Sequence, residues 1–244
     1  MEFSDFPTDG KWKYEKGVLT TNLSCWADFY STIKELRAFP DYKKLVWRGQ
    51  RRDDPLLSTF DRDLKKKSPE NDEDKRERLL DEHLKNFKSV RRKVFGNGIN
   101  EGTCDDDLWA IGQHYGMLTP LLDWTHCPFI AAYFAFHKKG EEDHTKYRVV
   151  YGLHRGVRRL LRIMKKGKMR IGRDHLVEFP SPSPVVDHRL RAQKGLFTRA
   201  LNGVDIKTNV VRRFEAKRPG RVFLIEINIP DVERKKCLKP GFPK

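Results

Sequence analysis

No apolar run in this 244-residue chain approaches the roughly 20 residues a membrane-spanning helix needs. The longest, Pro128 to Phe136, is far too short, which excludes a helical span and leaves a folded, soluble chain as the expectation. Cysteine is scarce. Cys25, Cys104, Cys127 and Cys237 form no C-x-x-C pair and no second ligand cluster, so free buried thiols are expected rather than disulfides or a zinc site, and no metal is assigned. The chain also lacks a P-loop, a G-x-G-x-x-G, a G-x-S-x-G and an H-E-x-x-H, which removes the common nucleotide-binding and hydrolase signatures. An acidic and aromatic start, MEFSDFPTDGKWKYEKG, stands where a signal peptide would be basic and then apolar, and it points to the cytoplasm.

Cationic charge, by contrast, is abundant. Fifty Lys and Arg face 34 Asp and Glu, a formal +16 with a sequence pI of about 9.7. Such a field calls for an anionic partner without specifying whether it is nucleic acid, a membrane surface or a phosphate-bearing small molecule. With 38% hydrophobic residues the chain buries a core. Its length suits one domain, here expected over 1–244, with a core from about 17 to 230, a charged helical insertion at about 65–100 and a basic tail from 233.

Several elements can be read locally. Gly17 to Thr21 and Lys43 to Gln50 read as strands. Between them Asn22 or Ser24 can cap a helix whose apolar face is Trp26, Phe29, Ile33 and Leu36. Ser68 as N-cap with Pro69 following opens a long amphipathic helix, its buried stripe Leu80, Leu84, Phe87 and Val94. Arg76, Arg78, Lys85, Lys88, Arg92 and Lys93 are left wet, as a solvated face or as the wall of a nucleic-acid groove. Asp105 to Asp107 suit the positive end of a following helix, which Gly116 closes. Thr125 can cap a helix opened by Pro128, apolar on every face and therefore expected in the core. YRVVYGLHR, RVFLIEINIP and the segment after Lys194-Gly195 read as further strands.

Three segments are harder to explain by folding alone: WRGQ at Trp47 to Gln50, QHYGMLTPLLDWT at Gln113 to Thr125, and RAQKGLFT at Arg191 to Thr198. Arg48 ends an apolar strand and precedes Gly49, where a backbone can approach a ligand closely, and its guanidinium suits bidentate phosphate binding. A surface ion pair is its plainer role. His114 and Tyr115 fall in the last helical turn, where the imidazole either complements the helix dipole or meets a ligand. Asp123, between Leu122 and Trp124, reads as a partly buried carboxylate in need of a partner, with Arg48 and the N–H groups of the next helix as candidates. Gln193 can hydrogen-bond but cannot act as a base. Glu226 reads first as a solvated strand glutamate, with a cleft residue as the alternative.

In this order WRGQ, QHYGMLTPLLDWT with IAAYFAF, and AQKGLFT resemble the FRG family, named for its Phe-Arg-Gly motif; Trp47 stands where Phe is usual. The motif order also resembles that of ADP-ribosyltransferases. The resemblance implies an α+β fold with an ADP-ribosyltransferase-like mixed or antiparallel sheet core and flanking helices. It also implies NAD as substrate, with Arg48, Asp123 and Gln193 in catalytic positions and Arg48, Gly49, Gln50, His114, Tyr115 and Thr125 around the dinucleotide. Gln193 falls where a glutamate is common, so Asp123 or Glu226 is left as the base, unless the acceptor needs little activation. With the charge surplus, the resulting expectation is an ADP-ribosyltransferase of nucleic acid, RNA favoured over DNA, of the kind found as a bacterial toxin or phage-defence effector with an antitoxin partner. The alternatives are a non-catalytic nucleic-acid-binding module on the same scaffold and a transferase of protein acceptors. A nuclease is disfavoured, because no acidic or histidine pair stands at metal or acid–base spacing.

Overall fold

A computed structural model describes residues 1–2, 6, 10–51, 54–69, 72–95, 103–137, 146–157, 177–182, 195–213 and 220–238. They form a mixed α/β structure of seven strands and seven helices with mostly antiparallel pairing. The chain divides into two compact units.

The first unit comprises Met1–Pro55, Trp124–Met169 and Lys207–Lys244. It holds β1 (Lys13–Glu15), β2 (Val18–Asn22), α1 (Trp26–Arg37) and β3 (Leu45–Gln50). The end of β4 (Leu121–Thr125), α5 (Pro128–Phe136) and β5 (Tyr147–His154) follow, and then α6 (Ile206–Arg213) from Lys207, β7 (Leu224–Pro230) and the short α7 (Arg234–Cys237). Its strands lie in the order β1-β2-β7-β5-β3, and Thr125 of β4 pairs with Trp47. Among the described pairings of this unit only that of β2 and β7 is parallel. Strand alternation sends Leu45 and Trp47 of β3, Val150 of β5 and Ile225, Ile227 and Ile229 of β7 to one face, where they pack with Phe29, Ile33 and Leu36 of α1 and Ala131, Ala135 and Phe136 of α5.

The second unit comprises Leu56–Asp123 and Arg170–Ile206, with α2 (Thr59–Lys67), α3 (Glu73–Phe95), α4 (Asp105–His114), the start of β4 and β6 (Gly195–Arg199) beside it. Leu84, Leu108, Trp109, Leu121 and Phe197 form its core.

The expected strands are present, and the helix ends differ in instructive ways. α1 is capped by Cys25, because Asp28 in its first turn accepts the N–H groups of both Ser24 and Cys25 at 3.0 Å. The long helix expected to open at Ser68 is present but starts later, at Glu73: Ser68 is instead the C-cap of the preceding α2, and Asp72 accepts the N–H of Lys75 to start α3. Val94 lies beyond the hydrophobic neighbours of α3 and is 66% exposed. Arg76, expected on the wet side, is buried: its guanidinium donates to Asp61 at 2.6 and 3.2 Å and to the Leu201 and Ala200 carbonyls, while Ser58 Oγ also donates to Asp61. α5 is buried along Ala131, Ala132, Ala135 and Phe136 rather than all round, leaving Tyr133 51% exposed. Of the four free thiols only Cys237 is buried, which pushes its pKa up to about 12. No described helix is long and apolar enough to cross a membrane, and no described cluster of His, Cys, Asp or Glu could hold a metal.

Two stability tests arise from these placements. Arg76→Ala leaves Asp61 buried without its guanidinium and should cost about 3–5 kcal/mol, measured by urea unfolding; a loss under about 1 kcal/mol would contradict the buried pair. Burial pushes the His154 imidazole down to about 4 from its ordinary value of 6.5, so the unfolded chain binds the extra proton in that interval. Stability should therefore fall as pH drops from about 6.5 to about 4, and His154→Gln should flatten that part of the profile.

Candidate active site

β3 carries the densest set of expected site residues. Within WRGQ the strand period separates Trp47 and Gly49 from Arg48 and Gln50. Trp47 enters the α5-side core at 1% exposure. Gly49 faces α5 itself: a Cβ there would stand 1.8 Å from the Ala131 carbonyl oxygen and 2.8 Å from the Ala135 nitrogen. The close approach expected at Gly49 therefore exists, and what approaches is a helix backbone.

Arg48 and Gln50 occupy the other face. Arg48 is half-buried and its Nε donates to Gln50 Oε1 at 3.2 Å, while Gln50 Nε2 donates to the Asp54 carbonyl at 2.8 Å. The Gln50 amide thus ties the arginine to the chain leaving the strand. Registration extends a polar row from there. Arg48 lies opposite Tyr151 of β5, Tyr151 opposite Glu226 of β7, and Glu226 opposite Thr20 of β2. Arg48 and Glu226 are thus on one sheet face, two strand spacings apart, about 10 Å.

Glu226 is not a solvated strand residue: it is 4% exposed, and Lys207 Nζ donates to its Oε2 at 2.6 Å. Val210 of α6 is buried against Gly17 on the same side of the unit. A buried carboxylate with a charge partner, in line with a half-buried arginine, is the arrangement that sequence reading missed. Alternation signalled the face correctly but not that α6 would approach it.

Thr125 ends β4 beside Trp47, and its Oγ1 accepts the N–H of Cys127, the residue that caps α5. Its hydroxyl thus fixes the strand-to-helix turn one step earlier than expected.

In the second unit, Asp123 is exposed rather than partly buried, although Leu122 beside it is buried. Gln113 Nε2 donates to Asp123 Oδ1 at 2.7 Å, and Thr119 Oγ1 donates to Gln113 Oε1. This relay ties the end of α4 to the start of β4, and Gly112 leaves room for Met117, whose sulfur would lie 2.9 Å from a Cβ. His114 and Tyr115 end α4 in solvent, their rings edge-to-face at 5.2 Å, and Gly116 closes the helix at φ 84°. Two clefts of this unit, of ≈ 390 and ≈ 350 Å³, contain none of the expected site residues. Gln193 lies outside the described residues.

The FRG domain model matches residues 43–144, a stretch that runs from WRGQ through the α4–β4 turn to α5. Over those residues, somewhat under half of the chain, the sequence is similar to the FRG domain. No curated protein and no solved structure matches the chain.

The ion pair on β7 has a direct test. Glu226→Gln and Lys207→Met should each destabilise the protein by about 1–3 kcal/mol, and the double variant should recover part of that sum; strict additivity would show that the two groups do not interact.

Proposed function

We propose that this chain is an NAD-dependent ADP-ribosyltransferase acting on a nucleic acid, RNA in preference to DNA. The observation that carries the reading is the row Arg48–Tyr151–Glu226, which puts a held guanidinium and a buried carboxylate on one face of adjoining strands. Arginine supplies the planar fork that a diphosphate takes bidentately. A carboxylate about 10 Å further along the row is suited to hydrogen-bonding the nicotinamide ribose and to stabilising positive charge there as the glycosidic bond breaks. Nicotinamide then leaves with the bonding electron pair, the acceptor atom bonds to the ribose carbon, and the acceptor's proton passes to the base.

Glu226 is preferred to Asp123 for that base because the register sets it on the Arg48 face of the sheet, with Lys207 orienting its carboxylate. The +16 charge supports a polyanionic acceptor. A toxin or phage-defence effector, held in check by an antitoxin protein, is the biological role that goes with this reading.

The test follows adenylate-labelled NAD incubated with the purified chain and, separately, RNA, single-stranded DNA and a protein extract. Label should pass to RNA and vanish in Arg48→Ala, which should still bind RNA. Label passing to protein alone would replace the acceptor class, and label staying in NAD while RNA binds would leave a non-catalytic binding module.

A further inference from the structure

Apart from the polar row, the first unit presents an aromatic surface that its core does not require. Tyr30 of α1 and Tyr133 of α5 are each 51% exposed. The two helices meet there: the Tyr30 ring lies 6.2 Å from that of Phe129, which packs edge-to-face on buried Phe29 at 5.6 Å. Along α5, Phe129, Tyr133 and His137 recur every four residues and so share one face. The Tyr133 and His137 rings stack at 5.6 Å and 23°, with Phe134 edge-on to both.

Cations border this stripe. Lys34 and Arg37 follow Tyr30 at four and seven residues on α1, both exposed, and the Arg37 guanidinium lies 6.0 Å from the Tyr42 ring centre. At the other end, Arg234 donates to the Phe136 and His137 carbonyls at 2.7 and 3.0 Å, which holds its guanidinium at the C-terminus of α5.

We infer that this stripe is a stacking platform for the unpaired bases of a single-stranded nucleic acid. Two half-exposed tyrosines and a stacked histidine offer π faces with polar edges, which bases accept without regard to sequence, and three cations border them to follow the phosphates. An aliphatic patch would fit a protein partner better, since it would offer no stacking surface and no advantage next to positive charge. The inference rests on the proposed reading only for its choice of nucleic acid as partner. It narrows the acceptor to single-stranded segments and assigns the α1–α5 surface to their capture.

The experiment is NAD-free binding, so it does not depend on transfer. Fluorescence anisotropy of labelled oligouridylate and of an RNA duplex of equal length is measured against the full chain across a salt series. Single strand should bind more tightly than duplex. Tyr30→Ala and Tyr133→Ala should each weaken it about 5- to 150-fold with the salt slope unchanged, while Tyr30→Phe and Tyr133→Phe should bind as the parent does. Lys34→Ala with Arg37→Ala should instead flatten the slope, by about 0.7 for each phosphate no longer neutralised. Equal affinity for duplex, or alanine variants that bind like the parent, would overturn the assignment. A self-association that disappears in the tyrosine variants, with oligouridylate binding intact, would give the surface to a second copy and overturn it equally. Transfer activity in the same variants is scored separately: its absence in the parent defeats the transferase reading and leaves the platform standing.

Discussion

The first unit depends on one close approach, the seating of α5 on β3 at Gly49. A side chain there would drive a carbon into the Ala131 carbonyl, and Ala131 and Ala135 are fully buried on the helix side of the same contact. Small residues on both elements let two backbones come together, at the cost of the side-chain area a larger pair would bury. Trp47, one pleat away, restores that area by filling the space above Gly152, where a Cβ would lie 2.8 Å from its ring. Because Gly49 and Trp47 turn toward the helix, Arg48 and Gln50 must turn away from it. The arginine therefore owes its face to the glycine beside it.

Once Arg48 is fixed, registration does the rest. Antiparallel pairing of β3, β5 and β7 sets Tyr151, 1% exposed, and Glu226 in line with it. A buried carboxylate and a half-buried guanidinium cost desolvation energy that a folding unit of this size gains nothing by bearing. Lys207 and Gln50 offset that cost locally. Arg76 in the second unit is different: its donors are taken up by Asp61 and two carbonyls, which suits a staple between α2, α3 and the chain after β6.

Much of the fold was legible because strands with β-branched runs and helices with a clear apolar stripe declare themselves locally. β2, β3, β5, β6 and β7, the core face of α1 and the closure of α4 at Gly116 were all accessible this way. What failed needed a partner distant in sequence. Gly49 announces a close approach without naming α5, 82 residues on as Ala131. Arg76 follows a charged surface pattern, and its burial depends on Asp61 and the 200–201 carbonyls. Val94 continues the stripe of α3 past the end of its neighbours. Glu226 was assigned to the right face by alternation, and its burial became visible only with Lys207 in place.

The most direct test of the polar row is equilibrium binding of NAD to the full chain by titration calorimetry, with Arg48→Lys and Glu226→Gln beside the parent. If the row holds the dinucleotide, the parent binds NAD, Arg48→Lys loses most of the affinity despite keeping the charge, because the planar fork is gone, and Glu226→Gln binds while losing transfer. No NAD binding by the parent, or an Arg48→Lys variant that binds as tightly, would contradict it.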